Sequence, residues 1–140
     1  MINREALKEI ILDNRSFIER EIISSVERDD IKLPRSLNKV VIFYGVRRSG
    51  KTFLLYDLFR KHIDSSLYID FEDERLKDFR SEDFEIMKEV FLELFPELLN
   101  KKKYFFLDEV QNIAQWEKFC RRAVERENIA VFAAGSSSQV

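Results

Sequence analysis

VVIFYGVRRSGKTF, residues 40–53, carries more structural information than any other stretch of this chain. Its centre, Gly45-Val46-Arg47-Arg48-Ser49-Gly50-Lys51-Thr52, is a complete G-x-x-x-x-G-K-T string. Val40 to Tyr44 form an unbroken apolar and β-branched run, the pattern of a strand buried on both faces. Downstream, Phe53 to Phe59 place apolar residues at helical spacing. Strand, glycine loop and helix therefore follow in the order that a phosphate-binding loop requires.

The spacing has a chemical reason. Gly45 and Gly50 permit backbone angles and close approach that a Cβ would block, so consecutive N–H groups can point inward at a phosphate. A helix beginning near Lys51 adds its partial positive charge. The candidate nucleotide contacts are Gly45, Val46, Arg47, Arg48, Ser49, Gly50, Lys51, Thr52 and Phe53. Lys51 is expected to reach the β- and γ-phosphates, and the Thr52 hydroxyl to ligate Mg²⁺.

Composition bounds the rest. One domain is expected from 140 residues, with 45% apolar and 36% charged side chains. A formal net charge of −2 gives no global attraction to nucleic acid or to an anionic membrane. The single Cys120 excludes an intramolecular disulfide and suits a reducing compartment. No apolar run approaches the ~20 residues of a membrane span, and no signal-peptide core is present, so a cytoplasmic location is expected. Only three glycines occur, Gly45, Gly50 and Gly135, which places each where backbone freedom is expected to matter.

Outward from the loop, residues 2 to 28 read as one or two amphipathic packing helices, with Asn14 a candidate break. Asp29-Asp30 and Pro34 form a linker. Leu67 to Phe71 read as a second strand, ending in Glu72-Asp73-Glu74, a cluster read as solvated rather than as a metal site. Residues 82 to 99 read as a helix with Phe84, Met87, Phe91, Leu94, Phe95 and Leu98 on its core face, kinked or ended by Pro96. Lys101-Lys102-Lys103 and Arg121-Arg122 read as solvated charge rather than nucleic-acid patches. Tyr104 to Leu107 are a third buried strand. Trp116, Phe119, Cys120, Ala123 and Val124 mark a further helix, and Ile129 to Ala134 a fourth strand. The order β-α-β-α-β-α-β implies a parallel, doubly wound α/β sheet.

YFFLDE, residues 104–109, has the form of the acidic strand end that accompanies a phosphate loop in hydrolytic nucleotidases. Asp108 would hold Mg²⁺ opposite Thr52, through a water, and Glu109 would polarise a water for attack on the γ-phosphate. Ser136 is placed to touch the γ-phosphate or that water. Ser137 is an equal candidate, and a plain turn-forming serine run is the alternative.

GVRRSGKT, YIDFED, YFFLDEVQNIAQWEKFCRR and AAGSSS together resemble the prokaryotic AAA+-type predicted ATPases, from about residue 36 to the end. The resemblance implies the additional-strand P-loop NTPase architecture with strand order 5-1-4-3-2. It implies the roles given above for Lys51, Thr52, Asp108, Glu109 and a polar residue near Ser136, with ATP and Mg²⁺ as cofactors. Residues 1–35 are then an amino-terminal helical segment and linker, and residues 36–140 the nucleotide-binding core. Family members continue into a fifth strand, an arginine-bearing segment, a lid and a C-terminal domain, none of which this sequence shows.

Two consequences follow. Without a fifth strand, the Val40–Tyr44 strand becomes a sheet edge with no charge or proline to deter pairing. Cover from the amino-terminal segment or from another copy of the chain is expected. The expected function is a Mg²⁺-dependent ATP-binding and hydrolysing core that is weak or inactive in isolation. A nucleotide-binding switch without useful hydrolysis is the alternative. A small-molecule kinase is disfavoured, because it has no need of Glu109.

Overall fold

The computed structural model describes residues 2–22, 39–45 and 51–136. The four apolar runs pair in parallel as one sheet, ordered β1 (Val41–Gly45), β4 (Ile129–Ser136), β3 (Lys103–Asp108) and β2 (Ser66–Asp70). That is the 1-4-3-2 part of the expected order, reached through the crossover helices α2 (Lys51–Lys61), α3 (Asp83–Leu94) and α4 (Trp116–Arg126). The amino-terminal helix is α1 (Arg4–Ile22).

Alternation along the strands divides the core into two layers. Leu67, Ile69, Phe105, Leu107, Ile129, Val131 and Ala133 face α3 and α4, where Phe84 stacks on Phe119 at 4.6 Å. Tyr68, Phe106, Ala130, Phe132 and Ala134 face α2 and its Leu55, Leu58 and Phe59. Helix α3 stops at Phe95 because Pro96 cannot continue it, and Pro96–Leu98 form a 3-10 turn instead.

Helix α1 is continuous, with no break at Asn14. Its Leu7, Ile10 and Ile11 enter the α3 layer, whereas Ile18 enters the α2 layer, so the helix wraps the β2 edge. Asn14 Nδ2 donates to the Tyr68 carbonyl at 2.7 Å, satisfying a polar group of that edge strand. The cover expected over β1 is thus not supplied by α1, which packs at the opposite edge. Residues 23–38, including the linker, lie outside the described residues.

Strand β1 is less buried than its apolar sequence suggests. Ile42 is 40% and Tyr44 69% exposed, because α2 covers only the Val41 and Phe43 face. Ile42 and Val40 instead line a groove of about 300 Å³ with Trp116, Cys120 and Val124 of α4.

Lys103 also departs from the sequence reading. It is not part of a solvated turn but is buried at the start of β3. Its ammonium donates to the carbonyls of Leu98 at 3.1 Å, Leu99 at 3.4 Å and Lys101 at 2.8 Å, closing the turn after α3. Arg121 and Arg122 are exposed, and Arg122 pairs with Glu85. Glu72 and Glu74 are exposed, while Asp73 pairs with Arg75 at 2.8 Å.

Cys120 is fully buried, and burial raises its thiol from the ordinary 9.0 to about 12. The native thiol should resist alkylation at pH 8 and react fully on denaturation, as a mass shift would report. Because the folded value is the higher one, this group stabilises the fold below the unfolded value. That contribution is lost at about 1.4 kcal/mol per pH unit as pH rises from roughly 9 toward 12.

Candidate nucleotide site

Parallel pairing brings every strand's carboxyl end to one side of the sheet, where ligands of open α/β sheets bind. Register aligns Gly45 with Ser136 and Tyr44 with Gly135 across β1 and β4. It aligns Asp70 with Asp108 and Asp108 with Ala134 across β2, β3 and β4. Helix α2 opens at the same edge, which carries Thr52 to Asp108 although 56 residues separate them.

Asp108 is buried and accepts from three described donors. Its Oδ2 takes Thr52 Oγ1 at 3.1 Å and the Tyr68 hydroxyl at 2.7 Å, and its Oδ1 takes the Glu109 N–H at 3.0 Å. Tyr68 is held on β2 by Tyr56 and Phe59, with ring centroids at 5.3 and 6.3 Å. Burial first, and then the Asp108 charge, push its phenol well above the ordinary range, so it remains a donor. Tyr68→Phe should cost about 1.5–3 kcal/mol, the worth of a hydrogen bond to a charged group, read as a lower denaturant midpoint.

Glu109 turns the chain out of β3 with φ at 53°, a left-handed conformation that disfavours non-glycine residues. Its side chain stays buried. Ser136 Oγ donates to Glu109 Oε1 at 2.8 Å and Oε2 at 3.1 Å, and Gln111 Nε2 donates to Oε2 at 2.7 Å. Gly135 supplies space here rather than backbone freedom. A Cβ on it would stand 2.7 Å from Gln111 Oε1.

The structure thus brings together Thr52, Asp108, Glu109 and Ser136 of the candidates named from sequence. Gly45 ends β1, and Phe53 lies exposed against Tyr56, ring centroids 6.0 Å apart. Val46, Arg47, Arg48, Ser49, Gly50 and Ser137 lie outside the described residues, and of Lys51 only the backbone is described. Sequence reading missed Tyr68 and Gln111 as members of this cluster. The signal for Gln111 was its position two residues beyond Glu109 at a strand end.

The donor set suits Mg²⁺. A hydroxyl and a carboxylate oxygen lie together, Thr52 Oγ1 and Asp108 Oδ2 at 3.1 Å. Few protein ligands, with water and substrate phosphates completing the shell, is the pattern Mg²⁺ favours.

A parallel α/β sheet whose β1 and α2 flank a G-x-x-x-x-G-K-T string in the sequence, with Thr52 of α2 against the Asp-Glu end of β3, defines a P-loop nucleotide-binding module. The chain belongs to the family described as AAA domain, whose model matches residues 37–140, and is a nucleotide-binding, ATPase-like module. It is 36% identical over 142 residues to the uncharacterized protein MJ1544 of Methanocaldococcus jannaschii, covering all of this chain and 30% of that protein. A solved structure of C. elegans PCH-2 is similar at a TM-score of 0.43 and 18% identity, over 92% of this chain and 37% of that one. The chain spans less than two fifths of the length of either protein. No helix among the described residues is long and apolar enough to cross a membrane.

Proposed function

We propose that the chain is the Mg²⁺-dependent ATP-binding and ATP-hydrolysing core of an AAA+-like ATPase. The observation that carries this reading is the Glu109 carboxylate. It is buried beside Asp108 at the strand end and held by Ser136 from the neighbouring strand. In this reading Thr52 and Asp108 hold Mg²⁺, which when bound neutralises charge on the phosphate oxygens. Lys51 binds the β- and γ-phosphates. Glu109 accepts a proton from a water as it attacks the γ-phosphorus, releasing ADP and phosphate. Ser136 holds the Glu109 carboxylate. ATP is favoured over GTP by the family and by the lack of an N-K-x-D base-recognition string.

Phosphate release by the complete protein, with Mg²⁺ and with the metal chelated, tests the proposal. Release that needs both ATP and Mg²⁺ is expected. Saturable ATP binding with no release would overturn hydrolysis and leave a nucleotide switch. A second copy or a further domain is the proposed partner, set against β1, whose Ile42 and Tyr44 stand exposed.

A further inference from the structure

We infer that Gln111 is a positioning residue that orients the Glu109 carboxylate, and that Gly135 gives it the room to do so. The inference rests on Glu109 being the proton acceptor of the proposed reaction.

Of the described contacts to Glu109, that of the Ser136 hydroxyl is nearly symmetric, 2.8 Å from one carboxylate oxygen and 3.1 Å from the other. Gln111 bonds one oxygen only, Oε2, at 2.7 Å. That single-sided bond favours one roll of the carboxylate over the other. Proton transfer depends on such alignment, since a base must meet the water along a lone-pair direction.

The amide is itself rigidly mounted. Gln111 sits in the one-turn 3-10 segment Val110–Asn112, closed by Asn112 N–H to the Glu109 carbonyl at 3.3 Å and Ile113 N–H to the Val110 carbonyl at 3.0 Å. Val110 and Ile113 anchor this turn in the core. On the far side the amide lies against Gly135, where a Cβ would come within 2.7 Å of Oε1, closer than such atoms pack.

Among the described residues no hydrogen-bond donor reaches the buried Gln111 Oε1. The amide makes sense through its N–H end, which faces Glu109. These contacts come from one strand end and one turn of the same site, and the geometry assigns Gln111 to Glu109.

The test uses the complete protein and Mg²⁺-ATP turnover over a range of ATP concentrations. The variants are Gln111→Leu, Gly135→Ala, their double mutant, and Glu109→Gln. Each of the first two should lower kcat about tenfold or more, the effect of losing one hydrogen bond to a charged group. KM and calorimetric ATP affinity should stay within about twofold, because neither residue is placed on the nucleotide. Gly135→Ala acts by pushing the amide aside, so the double mutant should be no slower than Gln111→Leu alone. If leucine disturbs the turn by circular dichroism, Gln111→Ser, too short to reach Glu109, should show the same loss.

Unchanged kcat in both Gln111 variants, with Glu109→Gln inactive, would overturn this inference alone. A double mutant whose loss is the product of the two single losses would overturn the role given to Gly135. Full activity in Glu109→Gln, or no turnover by the wild type, would overturn the underlying reading of Glu109 and this inference with it.

Discussion

Glu109→Gln in the complete protein is expected to lower the proposed ATP turnover by about 10²–10⁴-fold, the usual contribution of a positioned general base. The substitution keeps the shape of the side chain and removes its basicity. The new amide can set its carbonyl oxygen where Glu109 Oε2 now takes Gln111 Nε2 at 2.7 Å, and its N–H group toward the Ser136 hydroxyl, which can accept as well as donate. Folding and ATP affinity should therefore change little while turnover falls. Single-turnover phosphate release and calorimetric affinity, measured on the same preparation, check both halves. A rate near that of the wild type would remove Glu109 from the chemistry.

Phe106→Ala is expected to destabilise the fold by about 3–5 kcal/mol, the range for deleting a fully buried aromatic ring. Phe106 is fully buried in β3, flanked by β2 and β4. Its ring stacks on Phe132 at 4.9 Å with 8° between planes, and meets Phe59 of α2 edge-on at 5.8 Å. Removing it leaves a cavity between sheet and helix that the paired strands cannot close by moving. Domains of this size have about 5–15 kcal/mol of total stability, so the loss is a large share of it. Chemical denaturation should show a lower midpoint with an unchanged slope. A loss below about 1 kcal/mol would mean that the sheet and α2 do not pack through this ring.

The elements and the sheet were legible because each strand is an apolar run and each crossover helix keeps its spacing. The 1-4-3-2 order came with the family resemblance, since no periodicity says which parallel strands are neighbours. Thr52, Asp108, Glu109 and Ser136 were legible because motif spacing puts each at a strand end or helix start. Tyr68 was not, because its partner Asp108 is 40 residues away and its hydroxyl points from the middle of a strand read only as core. Gln111 was not legible, because its contact with Glu109 depends on the left-handed turn at Glu109 and the 3-10 segment after it, which no apolar periodicity signals.

Charge misled in one place and apolarity in another. Lys103 reads as solvent-facing in a run of three lysines, yet its stem lies in the core and its ammonium finds three carbonyls. Val40 to Tyr44 read as doubly buried, yet alternate residues of this edge strand face outward. Asn14 reads as a helix break by propensity, yet its amide docks α1 on β2.

The central claim is that this module binds nucleotide through its phosphate loop, and calorimetric titration with ATP and Mg²⁺, beside Lys51→Ala, tests it most directly. Saturable binding by the wild type that is lost in Lys51→Ala is the predicted result. Equal binding by Lys51→Ala, or none by a folded wild-type protein, would contradict it.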